Sequence, residues 1–81
     1  MSNRALEEIL DFVTSQPKME DILHFEHSPE ILERVEYLET AEKSGTITSD
    51  ELDEMRQFVR AHEFMQQLKL RAKRRLGIEE N

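Results

Sequence analysis

No glycine or proline lies between residues 49 and 76, and that uninterrupted stretch constrains this chain more than any other feature. Thr48 and Glu51 form the capping-box pattern at its start, where a hydroxyl and a carboxylate three residues apart satisfy the first free backbone N–H groups. Acids crowd the first turns (Asp50, Glu51, Asp53, Glu54) and bases crowd the end (Lys69, Arg71, Lys73, Arg74, Arg75). Both arrangements suit the helix dipole. Gly77 is the natural stop. The pattern predicts one helix over 49–76, roughly 42 Å long at 1.5 Å per residue.

A second helix is predicted just before it. Ser28 caps, Pro29 pre-sets the first helical position, and Glu30 sits favourably in the first turn. This helix runs over 29–44 and ends at Gly45, a left-handed terminator. Ile31, Val35 and Leu38 make its inner stripe, with Leu32 and Ala41 at the margins. Glu30 with Arg34, and Glu39 with Lys43, have the favourable i, i+4 order. The short turn from Gly45 to Ile47 makes the two helices an antiparallel hairpin. The first arm is only about 24 Å long, so the second overhangs it by roughly 18 Å.

The apolar pattern continues along the overhang. Leu52, Met55 and Val59 are expected to face Ile31, Val35 and Leu38. From Phe58 a heptad-like seam runs on through Ala61, Met65, Leu68 and Ala72, widened by Phe64. The first helix could cover the seam in cis, or a second copy of the chain could cover it in trans. A chain of 81 residues buries only about 60% of its unfolded surface, so its core is thin. A thin core and a long seam favour a dimer. The predicted contact surface is Phe58, Ala61, Phe64, Met65, Leu68 and Ala72.

Upstream, Asn3 or Ser2 caps a short helix whose residues Leu6, Ile9, Leu10 and Val13 share one face. Pro17 ends it, because the residue before a proline is pushed out of the helical region. Residues 18–27 are expected to form one or two turns and then run extended. The expected fold is therefore all-α and a single domain over 1–81. It comprises an N-terminal helix and irregular connector (1–27), a helical hairpin with a long second arm (28–76) and a tail (77–81), in a dimeric bundle. Two glycines and two prolines are too few for a loop-rich or all-β fold, and with no cysteine there is no disulfide, zinc ribbon or thiol nucleophile. The N-terminus lacks the apolar core of a secretory signal, and no apolar run approaches the roughly 20 residues of a membrane span. The protein is expected to be cytoplasmic, with no membrane contact.

Charge is unevenly spread. The net charge of -7 divides into six bases against sixteen acids over residues 1–68, five bases over 69–75, and two acids in the tail. Glu30, Glu33, Glu36, Glu39 and Glu42 recur every third residue, a period that winds around a helix and reads as a solvated face. The basic patch Lys69, Arg71, Lys73, Arg74 and Arg75 reads first as a helix C-terminus complementing its dipole. Two other uses are contact with nucleic-acid phosphates, opposed by the acidic body, and pairing with the acidic body of a second subunit.

The patterns that suggest chemistry are incomplete. Residues 40–51 fit an EF-hand loop at Gly45, Ile47 and Glu51, with Glu42 and Ser44 as possible oxygen donors, but Thr40 stands where the first carboxylate is required. A C-cap glycine followed by a capping box explains the same residues. His62-Glu63-Phe64-Met65-Gln66 falls one histidine short of a zinc-protease helix. His24 and His27 flank Glu26 with no further ligand. No nucleophile elbow or phosphate-binding glycine loop is present. No metal, no cofactor and no enzymatic activity are expected.

The run Gly45-Thr46-Ile47-Thr48-Ser49-Asp50-Glu51-Leu52-Asp53-Glu54-Met55, with Ser28-Pro29-Glu30 before it and Leu68-Lys69-Leu70-Arg71-Ala72 after it, resembles a group of small uncharacterised helical proteins common in cyanobacteria. They share a Gly-Thr-Leu-Thr-x-x-Glu-x-x-Glu-Leu pattern followed by a long helix; here Ile47 and Met55 replace leucines. The resemblance spans residues 28–76 and implies the same hairpin. It also implies an antitoxin-like or regulatory alternative, in which the basic helix end touches nucleic acid or an acidic partner. The primary expectation is a non-enzymatic protein–protein interaction module that homodimerises, with a further, unidentified protein partner possible.

Overall fold

The structure, a computed structural model, describes residues 3–78. Among these it is all-α, with four helices: α1 (Arg4–Thr14), α2 (Met19–Leu23), α3 (Pro29–Ser44) and α4 (Ser49–Leu76). Ser2 as an alternative cap and the acids of the tail, Glu79 and Glu80, lie outside the described residues.

The hairpin forms as its caps dictate. The Ser28 side chain accepts from the Ile31 N–H, with Pro29 in the first turn. Gly45 takes the left-handed conformation at φ 73°, and the Thr46 N–H reaches back to the Ala41 carbonyl at 2.9 Å. That is the crossed bonding that closes a helix C-terminus without a Cβ penalty. Thr48 and Glu51 then bond reciprocally, at 3.0 and 3.1 Å. Gly77 closes α4 in the same way as Gly45 closes α3.

α4 is the spine, and its length sets the long axis of a slab of 44 × 30 × 18 Å. The other three helices pack on it. The Asn3 amide donates to the Gln57 carbonyl at 2.9 Å, which seats the start of α1 beside the middle of α4. At the other end of α1, Phe12 packs against Phe25 with ring centroids 4.8 Å apart. The Phe25 carbonyl in turn accepts from Lys69 Nζ at 3.0 Å. The N-terminal segment thus lies along the overhang that α3 is too short to reach.

This packing decides how the seam is covered. Phe58, Ala61, Met65 and Ala72 are buried within one chain, at 7%, 2%, 3% and 1% exposure. They are therefore core residues rather than a surface free for a second copy. Ala5 and Ile9 from α1 and Ile31 and Leu38 from α3 share one cluster with Phe58, Ala61 and Met65. Leu68 packs at its edge, and Phe64 remains exposed. The dimer argument from an uncovered seam falls with this finding, because the cis cover suffices.

Two further expectations are corrected, the inward face of α1 and the partner of Arg34. α1 buries Ala5 and Ile9 and packs Leu6 and Phe12 against the core, whereas Leu10 and Val13 are exposed. It ends at Thr14, before Pro17 as expected, and Gln16 bridges to the proline with a positive φ of 60°. Arg34 does not pair with Glu30 along its own helix. It binds Glu54 of α4 bidentately, with both contacts at 2.8 Å. A planar fork on a carboxylate across two helices is stronger than an exposed intrahelical pair. As expected, residues 18–27 hold a single helical turn, α2, followed by extended chain.

Candidate interaction surface

The open feature of the molecule is a groove between α3 and α4. Near the turn the two helices are clamped by Arg34 on Glu54 and by the Tyr37 hydroxyl on Glu51, at 2.8 Å. Toward the start of α3 a cavity of about 410 Å³ lies between them. Ile31, Leu32, Val35 and Leu38 form one wall and Met55, Phe58, Val59 and His62 the other, with Ala5 and His27 also lining it. Glu39 sits at its rim. A second hollow of about 240 Å³ shares His27, Leu32 and His62 and extends to Met65, Gln66 and Lys69. The two make a trough along one side of α4, from Met55 to Lys69.

Leu32 and Val59 explain why the trough matters. Both are about half exposed, at 53% and 47%, and both line the same cavity. Val59 was expected to pack with Met55 against α3. It points into this open groove instead of a closed core. An apolar groove between two helices is the usual seat for the apolar face of a third.

A polar junction at His27 borders the groove. His27 Nδ1 donates to Glu8 Oε1 at 2.8 Å, and the Ser28 N–H donates to the same oxygen at 3.2 Å. His27 also meets the Phe25 ring edge-on, with centroids 5.0 Å apart. One carboxylate of α1 therefore pins the connector at the N-cap of α3. Burial tends to raise the Glu8 carboxyl, but the bonds from Ser28 and His27 outweigh it and leave it below the usual range. Arg34, by hydrogen bond first and charge second, holds Glu54 low despite its burial. The Thr48 N–H is the main cause that lowers Glu51.

These three carboxyls make stability depend on acid. A carboxyl lowered in the folded state stabilises the fold above its unfolded value, and that contribution is lost as pH falls through its folded value. Urea midpoints are expected to hold steady from neutral pH down to about pH 5 and to decline from there to about pH 3. Glu8→Gln should flatten the decline. An acid-insensitive midpoint in the wild type would contradict this account.

The other sequence candidates are not brought together. Glu51, the twelfth position of the EF-hand alignment, is engaged by Thr48 and Tyr37. Among the described residues no three His, Asp or Glu side chains converge to hold a metal ion. No described helix is long and apolar enough to cross a membrane. The basic patch is not one face: at 100° per residue its five side chains wind around α4. Lys69 is tied to the Phe25 carbonyl and Arg71 to Gln67 of its own helix, while Arg74 and Arg75 are exposed.

Comparison with protein-family models, with curated proteins and with solved structures finds no match to this chain. Its function must be argued from its own surface. Sequence reasoning missed the groove because it set Leu32 at the margin of the α3 stripe and Val59 among the residues facing α3, and neither position by itself announces an open trough. It weighed His27 only beside Glu26 and His24, and missed its partner Glu8, which lies on another helix. The one available signal was that His27 directly precedes the Ser28-Pro29 cap.

Proposed function

We propose that the protein is a non-enzymatic interaction module that self-associates through the α3/α4 groove. The observation that carries this reading is the pair Leu32 and Val59, half exposed on opposite walls of one apolar trough. Two exposed aliphatic side chains that share a groove gain from being covered together, and on a thin slab that burial is a large part of what is attainable. The charge layout supports the same reading, with an acidic α3 and a basic end of α4 on one molecule.

Sedimentation equilibrium tests it. The wild type is expected to dimerise at micromolar concentration. The double substitution Leu32→Glu and Val59→Glu, on two exposed positions, should keep the helical circular dichroism and shift the protein to monomer. A monomeric wild type in that range would end the self-association reading.

A further inference from the structure

We propose that the groove receives α4 of a second copy, antiparallel to its own α4, across a two-fold axis level with Ala61. This inference rests on the self-association reading and adds the occupant and its register.

The first support is the open face of α4. At 100° per residue, Leu52, Val59, Leu70 and Lys73 fall within about 60° of one another. Val59 and Leu70 are exposed and Leu52 is half-buried. Leu52 and Leu70 are equidistant from Ala61 along the helix. An antiparallel two-fold at that level therefore seats each Leu70 on the other copy's Leu52 and each Val59 beside the aliphatic stem of the other copy's Glu63, which lies on the same exposed face. Such an isologous contact closes as a dimer.

The second support is charge. Arg34 bonded to Glu54, and Tyr37 bonded to Glu51, fix the register of α3 against α4. Continuing that register puts Glu39 level with Ser49. Ser49 and Lys73 are also equidistant from Ala61, each roughly 18 Å from the axis. The same two-fold thus delivers Lys73 and Arg74 to Glu36 and Glu39 of the other copy. Both glutamates are exposed, lie on the Leu32 side of α3, and make no ion pair among the described residues; Glu39 already lines the groove. Lys43, the base on this side of α3, falls level with Gly77, past the last basic side chain. Hydrophobic register and charge register agree on one axis, and that agreement selects a second copy over an unrelated helix.

Charge exchange between two variants tests the register. Lys73→Glu with Arg74→Glu sets acids against acids in its own dimer. Glu36→Lys with Glu39→Lys sets bases against bases. Each double variant is expected to keep its helical circular dichroism and to dimerise at least about tenfold more weakly than the wild type in low salt. Mixed one to one, the two should form a heterodimer at wild-type strength, because both charge contacts are then attractive. Variants that dimerise like the wild type would overturn this register, and so would a mixture that stays monomeric. If the Leu32→Glu, Val59→Glu protein is monomeric in the same assay, only the register fails and the groove reading stands.

Discussion

Met65→Glu unfolds the protein. Met65 is 3% exposed and packs among Ile9, Ile31 and Phe58 in the one core cluster. The new carboxylate would lie in the core cluster, and the base one turn on, Lys69, is already held by the Phe25 carbonyl. It would either stay charged at a large desolvation cost or take up a proton and still lack a partner. A domain of this size is held by roughly 5–15 kcal/mol, and an unpaired buried charge is among the few single changes that remove several at once. Loss of the cooperative thermal transition in circular dichroism is the expected result. Sedimentation of such a sample would show no compact dimer, but for want of a fold rather than of an interface. A folded Met65→Glu monomer would mean that the seam is open in solution and that α1 does not cover it. The contrast with Val59→Glu, six residues earlier on the same helix, separates core from surface.

Ile9→Ala is expected to cost about 2–5 kcal/mol, and the adjacent Leu10→Ala less than about 1 kcal/mol. Ile9 has no exposed surface, whereas Leu10 is 49% exposed. Removing the Ile9 side chain loses its transfer energy and leaves a cavity between α1 and α4 that a thin slab cannot close without shifting a helix. Truncating Leu10 removes surface already half in water. Urea denaturation of both variants measures the difference, and the slopes should match the wild type if only stability has changed. Equal losses at both positions would contradict the observed rotation of α1.

Helix boundaries were readable in detail. The Ser28-Pro29 start, the Gly45 stop, the Thr48–Glu51 box and the Gly77 stop all act within a few residues of chain, so local chemistry decides them. The two long helices span the residues that those signals enclose. The end of α1 was less legible, because Gln16 adopts a left-handed conformation that no pattern around Pro17 announces. The groove was illegible for a different reason. Leu32 lies at the margin of the α3 stripe and Val59 among the residues expected to face α3, and periodicity reports direction around a helix, not how far away the facing helix stands.

By itself, then, the sequence determined an all-α chain, its two long helices, their hairpin and the unequal lengths of the two arms. Capping, dipole and breaker effects are local, and their energies do not depend on what lies opposite. Only the tertiary structure decided that α1 and the Phe25 connector cover the overhanging seam. It also moved the open surface from Phe58, Ala61, Met65 and Ala72 to Leu32 and Val59. Those outcomes hang on contacts between distant residues, such as Asn3 with Gln57, Glu8 with His27 and Phe25 with Lys69. Burial is a property of such meetings, and an amphipathic pattern can state that a face needs cover without naming what supplies it.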